Sequence, residues 1–222
     1  MREKTRSVFS SGECWTAADW TALVESGVRR AYLPGQFLIR YGDSGSWVGA
    51  LISGRVKIVR PSPAGHEILL AVRGPGDLVG EFAHADRRPR SASVQAIEHC
   101  MVSLVADSRF ADWVARRRVH HALDRYILGK MRETADTAAR LAHGRPAQRL
   151  ATLLIAIVTA GGPSHPSPND VRMSQDELSG ALGLARSSIT PVLAEWKRRG
   201  VVTVARTGLT VCDIEALARL IT

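Results

Sequence analysis

The chain has 222 residues, of which 45 % are hydrophobic and 23 % charged. That is enough for one large domain or two smaller ones with cores of their own, and it argues against a disordered or fibrous chain. A formal net charge of +9 favours a polyanionic partner such as nucleic acid. The regions 1–110, 111–143 and 144–222 each carry +3, so net charge alone does not locate that surface. Cys14, Cys100 and Cys212 lie far apart without CxxC spacing, which argues against a metal cluster and for a reducing cytoplasm. The N-terminal "MREKTRSVFSSGE" has no apolar run after its basic residues. No segment approaches the roughly eighteen apolar residues of a span, so neither a secretory leader nor a membrane helix is expected.

A helical lead-in is expected around Ala17 to Glu25. From Ala31 to Val105, short apolar runs recur: "AYL", "FLIR", "WVGALI", "VKIV", "EILLAV", "SVQAI" and "MVSLV", separated by Gly35, Gly42, Gly45, Gly54, Gly65, Gly76 and Gly80. Regular short strands between glycine turns predict an antiparallel sandwich or barrel.

Within that run, "GDLVGEFAHADRRPRSA" (76–92) combines a glycine, a buried-looking carboxylate, an arginine and a serine. A bare charge inside a β domain is costly unless paired. Arg90 is suited to neutralise a phosphate, Ser91 to add a hydroxyl donor, and Gly80 to let backbone approach a ligand closely. Ionised Glu81 accepts hydrogen bonds but cannot donate them, which suits a ribose hydroxyl. Together these describe a cyclic nucleotide. The competing reading is a structural Glu81–Arg90 ion pair in a vestigial pocket.

Between Ser108 and Ala142 the pattern turns helical, with apolar residues at Val119, Leu123, Ile127, Met131, Ala135 or Ala138, and Leu141. One long helix fits, and its stripe can lie on the β domain, pair with a second copy, or do both; pairing is favoured, although His120, Asp124 and Lys130 interrupt a strict heptad. "AHGRPAQRLATLLIAIV" restarts a helix after a hinge at Gly144, with Pro146 in a first turn where its missing N–H is no loss. "GGPSHPSPND" reads as a connecting loop.

In "MSQDELSGALGLARSSITPVLAEWKRRGVV", Ser174 and Glu177 form a capping box, Leu178, Ala181 and Leu182 an inner face, and Gly183 a tight turn. A second helix from about Arg186 to Arg199 turns Ile189, Val192, Leu193 and Trp196 inward. Arg186, Ser187, Ser188, Thr190 and Pro191 remain for DNA. "VVTVARTGLTV" reads as a hairpin turning at Thr207-Gly208, with Arg206 near its tip. Lys197 to Arg199 and Arg206 are candidate phosphate contacts. Pro191 predicts a helix bent or distorted near Ser187.

"GDLVGE" followed by "PRSA", the "ISGRVKI" strand pair, the long helix, "GRPAQRLATLL" and the winged helix-turn-helix resemble the CRP/FNR family of bacterial transcription regulators over nearly the whole chain. The resemblance implies an α+β chain: an antiparallel β-roll of the cyclic-nucleotide-binding kind (1–110), a central dimerisation helix (111–143) and a winged helix-turn-helix (144–222). It implies a cytoplasmic homodimer acting on double-stranded DNA and RNA polymerase. It also implies a cyclic nucleotide, cyclic AMP first, held at Gly80, Glu81, Arg90 and Ser91, with no metal and no enzymatic activity. Where cyclic-AMP receptors touch adenine through two hydroxyl residues, this chain has Lys130 and Met131, and Thr134 and Thr137 one turn on are substitutes. Ser187 and Pro191 replace the family's glutamate and second arginine. The N-terminal cysteine cluster of iron–sulfur sensors is missing, and Cys100, His84 or His99 as haem ligands is the weaker option. The alternatives are a ligand-independent regulator and a cupin-like metalloenzyme, against which His66, His84 and His99 are scattered.

Overall fold

The computed structural model describes residues 14–61, 67–162 and 165–221. The N-terminal segment, Gly65 and His66 lie outside the described residues. Helix α1 (Ala17–Glu25) is opened by a capping box between Thr16 and Asp19. The strands β1 (Val28–Tyr32), β2 (Phe37–Ile39), β3 (Trp47–Ser53), β4 (Val56–Pro61), β5 (Glu67–Arg73) and β6 (Leu78–Val79) follow. A short helix α2 (Glu81–Asp86) then precedes β7 (Ser93–Ala96) and β8 (Cys100–Ala106). The strands form two four-stranded sheets, β1-β8-β3-β6 and β2-β7-β4-β5, with every pairing antiparallel.

β3 is buried on both faces, which is why "WVGALI" is a continuous apolar run. Leu51, Val79 and Val102 point into the space between the sheets with Leu38, Ile39, Val56 and Val94. Val48, Ala50, Leu78 and Val105 pack on the other side against helices through Leu23, Phe110, Trp113, Leu123 and Tyr126.

The helix expected from Ser108 to Ala142 is two: α3 (Asp107–Arg117) and α4 (His120–His143). They are separated at Arg118, which takes the left-handed conformation with φ +55°. The break lets both helices press on one sheet. α3 buries Phe110, Trp113 and Val114, and α4 buries Val119, Leu123 and Tyr126 in the same cluster. The first half of the expected stripe, Val119, Leu123 and Ile127, therefore faces this chain's own β-roll. Its later members Met131, Ala135 and Ala138 stay exposed and, with Leu128 and Ala142, form an outer apolar row on α4.

Helix α5 (Pro146–Gly161) begins with Pro146 as its first residue. Short strand β9 (Asp170–Val171), helices α6 (Gln175–Ala181) and α7 (Arg186–Arg198), strands β10 (Val202–Ala205) and β11 (Gly208–Val211), and α8 (Ile214–Ala218) complete the chain. The capping box of Ser174 and Glu177 opens α6, and Gly183 makes the turn at φ +59°. The wing is three-stranded, in the order β10-β11-β9. Its hairpin turns at Arg206 and Thr207, one residue earlier than expected, because Gly208 is already paired with Ala205. A side chain at Gly208 would overlap the Val171 carbonyl, so this glycine serves the approach of β9 rather than the turn. The winged-helix core around Leu150, Leu154, Leu178 and Trp196 also takes in Val59, Leu69, Val72 and Ile97 of the β-roll. Among the described residues no helix is long and apolar enough to cross a membrane.

Candidate functional site

Strand β6 runs into Gly80, which adopts φ +84° and starts α2. That conformation favours glycine. A Cβ here would also overlap Nη1 of Arg90, so Gly80 makes room for the arginine as well as for the turn. Arg90 is buried, 4 % exposed. Its Nη1 donates to the Gly80 carbonyl at 2.9 Å and its Nη2 to the Trp47 carbonyl at 2.6 Å, while its guanidinium lies 4.8 Å from the centre of the Trp47 ring. Glu81 is equally buried, at 6 %, but the two do not form the ion pair considered from the sequence. Arg90 reaches no carboxylate among the ion pairs of the described residues. Two carbonyl dipoles hold this cation in place without neutralising it, which leaves it able to take an anion. Ser91, next in sequence, is exposed.

Burial pushes the Glu81 carboxyl up to about 7. Its own backbone N–H and the charges of Arg73 and Lys130 work the other way, and Asp77 adds to the rise. Those neighbours belong to a polar cluster that the sequence pattern did not reveal. Lys130, 3 % exposed, pairs with Asp77 Oδ1 at 2.9 Å and Glu133 Oε2 at 3.3 Å. Arg73 pairs with Glu133 Oε1 at 3.1 Å. The Tyr126 hydroxyl accepts from the Leu78 N–H at 2.9 Å and donates to Asp77 Oδ1 at 3.2 Å. Lys130 interrupting an apolar helix stripe was the one signal of this cluster in the sequence.

The three base-side candidates separate. Lys130 faces the cluster beside Glu81, and Thr134 donates to the Lys130 carbonyl at 2.8 Å. Met131 is 53 % exposed on the outer face of α4, a turn of the helix that points it away from its own pocket. His84 pairs with Asp107 and packs edge-on against Phe110. Cys100 is buried, which pushes its thiol up to about 12, and His99 is exposed. No group of three or more His, Cys, Asp or Glu that could hold a metal occurs among the described residues.

On the other candidate surface, α7 buries Ile189, Leu193 and Trp196 and exposes Arg186, Ser187, Thr190 and Pro191, with Ser188 half-buried. α7 is one continuous helix through Pro191, so the expected disruption near Ser187 does not end it. The proline still leaves the Ser187 carbonyl without its usual helical donor. Arg186 pairs with Asp176 at 3.0 Å and Thr190 donates to Gln175 Oε1 at 3.2 Å. Both are surface contacts of the kind that exchange readily. Lys197, Arg199 and Arg206 are exposed, and Arg198 pairs with Glu195.

The cyclic nucleotide-binding domain family matches residues 29–117, and the Crp-like helix-turn-helix domain family matches residues 148–220. The chain belongs to the CRP/FNR family of transcription regulators. It is 29 % identical over 190 residues to the CRP-like cAMP-activated global transcriptional regulator of Mycobacterium tuberculosis, covering 83 % of this chain and 84 % of that one. It is 31 % identical over 179 residues to the cyclic AMP receptor protein of Thermus thermophilus, covering 78 % and 79 %. Among solved structures, the c-di-GMP responsive global regulator CLP of Xanthomonas campestris matches with a TM-score of 0.68 at 21 % identity, over 88 % of this chain and 98 % of CLP. This CRP/FNR regulator thus carries the family's two domains, with a helix-turn-helix that implies DNA binding, and it is not an enzyme.

The raised Glu81 carboxyl has a stability consequence. Unfolded, it titrates near 4.5, and folded near 7. Between those values the unfolded chain has released a proton that the folded chain retains, so this group's contribution falls as pH rises through the window. By linkage the fall is roughly 3 kcal/mol, complete above pH 7. Chemical denaturation at pH 5 and pH 8 should show Glu81→Gln gaining up to that amount over the wild type at the higher pH. Equal pH slopes for the two proteins would contradict it.

Proposed function

We propose that this regulator is a homodimer gated by a cyclic nucleotide in the β-roll, cyclic AMP first, with its units at 1–110, 111–143 and 144–222. The observation that carries this reading is Arg90. It is a buried cation whose direct hydrogen bonds all go to carbonyls and which pairs with no carboxylate among the described residues, near a buried carboxyl that suits a sugar hydroxyl. The phosphate goes to Arg90 and Ser91, the ribose to Glu81, and the base toward Lys130 and Thr134. The names of the mycobacterial and Thermus relatives support cyclic AMP as the first ligand to try.

The exposed α4 row supports the dimer. Leu128, Met131, Ala135, Ala138 and Ala142 recur at alternating three- and four-residue spacing, the pattern of a coiled-coil seam. Met131 belongs to this seam. A dimer presents two α7 helices at about one DNA turn, ~34 Å, on a two-fold symmetric operator. Arg186 then leaves Asp176 for guanine O6 and N7, while Lys197, Arg199 and Arg206 hold phosphates. A cytoplasmic setting and RNA polymerase as the protein partner follow from the family.

Light scattering should give a mass near twice 24.1 kDa for the wild type and a monomer for Leu128→Glu. A monomeric wild type contradicts the dimer. Calorimetry should show cyclic AMP binding that Arg90→Leu weakens by on the order of 2–5 kcal/mol. Silence of the wild type toward cyclic AMP, cyclic GMP and c-di-GMP would replace gating by a ligand-independent regulator.

Selection of sites from random DNA tests the reading face. Arg186→Ala should relax preference at one base position per half-site, a loss of about 1–3 kcal/mol of discrimination. An unchanged preference would show that Arg186 reads no base.

A further inference from the structure

Arg55 has no part in either surface above, yet it is the largest fully buried side chain of the protein's described residues, with no solvent exposure. It stands at the start of β4, after a turn in which Gly54 takes φ +80° and a side chain would overlap the His99 carbonyl. That close approach brings the β3–β4 turn against the residues beside Glu98. Arg55 Nε and Nη2 donate to the two Glu98 oxygens at 2.7 and 2.8 Å. Its remaining N–H groups leave the β-roll altogether. Nη1 donates to the carbonyls of Ile157 and Pro168 at 3.2 and 2.9 Å, and Nη2 to that of Asp170 at 2.6 Å. All five guanidinium donors are thus used, three of them on backbone of α5, the loop after it, and β9. Glu98 is also bonded by His165 Nε2 at 2.8 Å, and His165 Nδ1 accepts from the Ser167 N–H at 3.1 Å.

We propose that Arg55 is an inter-domain latch: its guanidinium, held in the β-roll by Glu98, fixes the orientation in which the winged helix docks. Two further observations support this. The apolar part of the junction, in which Val59, Leu69, Val72 and Ile97 meet the α5 core, is non-directional and tolerates sliding. Three hydrogen bonds across it from one rigid planar fork, itself fixed by two more to Glu98, do not tolerate sliding. The junction is also tight elsewhere, since a Cβ on Gly74 would overlap the Ala160 carbonyl of α5. Ile157 lies near the C-terminal end of α5, where the helix dipole favours a cation. The latch lies apart from Arg90 and α7, so it acts on how the reading domain is aimed and not on ligand or base contacts.

Hydrogen exchange on the full-length protein tests the latch without ligand or DNA. Glu98→Gln replaces one acceptor with a donor facing Arg55. Exchange in the amides of 165–171 should speed by roughly tenfold or more, as expected when a buried ion pair loses its partner. The amides of β3 and β8 should keep their protection. His165→Ala, which strands no charge but removes the acceptor of the Ser167 N–H, should give the same selective effect at 169–171 at a few-fold, and it serves if the first variant does not fold. Unchanged exchange at 165–171 in both variants, or equal acceleration throughout the β-roll, would overturn the latch.

A second readout rests on the proposed dimer. The wild type should bind a selected operator better than one lengthened by a base pair between half-sites, and Glu98→Gln should lose much of that preference. A variant as strict as the wild type, with exchange at 165–171 accelerated, would refute the aiming role. A wild type with no spacing preference would count against two-site binding itself.

Discussion

One buried hydroxyl joins the candidate ligand pocket to the helix that leads out of the β-roll. The N–H of Leu78 has no exposure to water, and a buried backbone donor needs a partner. It finds Tyr126, on α4, at 2.9 Å. Because β6 has only two residues before Gly80 and Glu81, this bond ties α4 to backbone close to the candidate ligand residues. Lys130 strengthens the link by pairing with Asp77, and Glu133 carries it to Arg73 at the end of β5.

Of the four buried cations among the described residues, Lys130, Arg55 and Arg90 have three kinds of partner, and the partners decide what each can do. Lys130 is enclosed by two carboxylates, so a base approaching it must compete with Asp77 and Glu133. Arg55 has one carboxylate and three carbonyls of the neighbouring domain, which makes it directional. Arg90 donates only to carbonyls, with the Trp47 ring against it and no ion pair to a carboxylate among the described residues. Removing a partner from the first two strands a charge, whereas an anion brought to Arg90 supplies what the folded chain does not. The cyclic-nucleotide-binding and helix-turn-helix halves of this CRP/FNR regulator are thus tied to one another by polar contacts as well as by apolar packing.

Local features were legible in the sequence and distant pairings were not. The seven apolar runs correspond to strands β1 to β5, β7 and β8, α1 begins and ends where composition suggested, and the Ser174–Glu177 box opens α6. Each of these depends on residues within a turn or a strand of one another. The division at Arg118 was missed because nothing in "RRRVHHAL" stops a helix. The break follows from α3 and α4 both needing to reach one sheet. The two apolar rows of α4 could not be told apart from spacing alone. The bulkier one, Val119, Leu123 and Tyr126, packs against the β-roll, and the row ending in alanines is left outside. Arg55 and Glu98 lie 43 residues apart, and Arg55 and Asp170 115 apart, so no local pattern announces them. The candidate ligand cassette at 80–92 was proposed from its chemistry; that chemistry gave Arg90 a carboxylate or a phosphate, and the folded chain supplies carbonyls.

The proposed gating requires the ligand site to communicate with α4 through Asp77, Leu78 and Tyr126. Amide hydrogen exchange with and without saturating cyclic AMP measures this directly. The account predicts that protection changes at Leu78 and along residues 120–134 together with the cassette at 80–92, and that Tyr126→Phe confines the change to the cassette. A wild-type response limited to 80–92, with α4 unaffected, would contradict it.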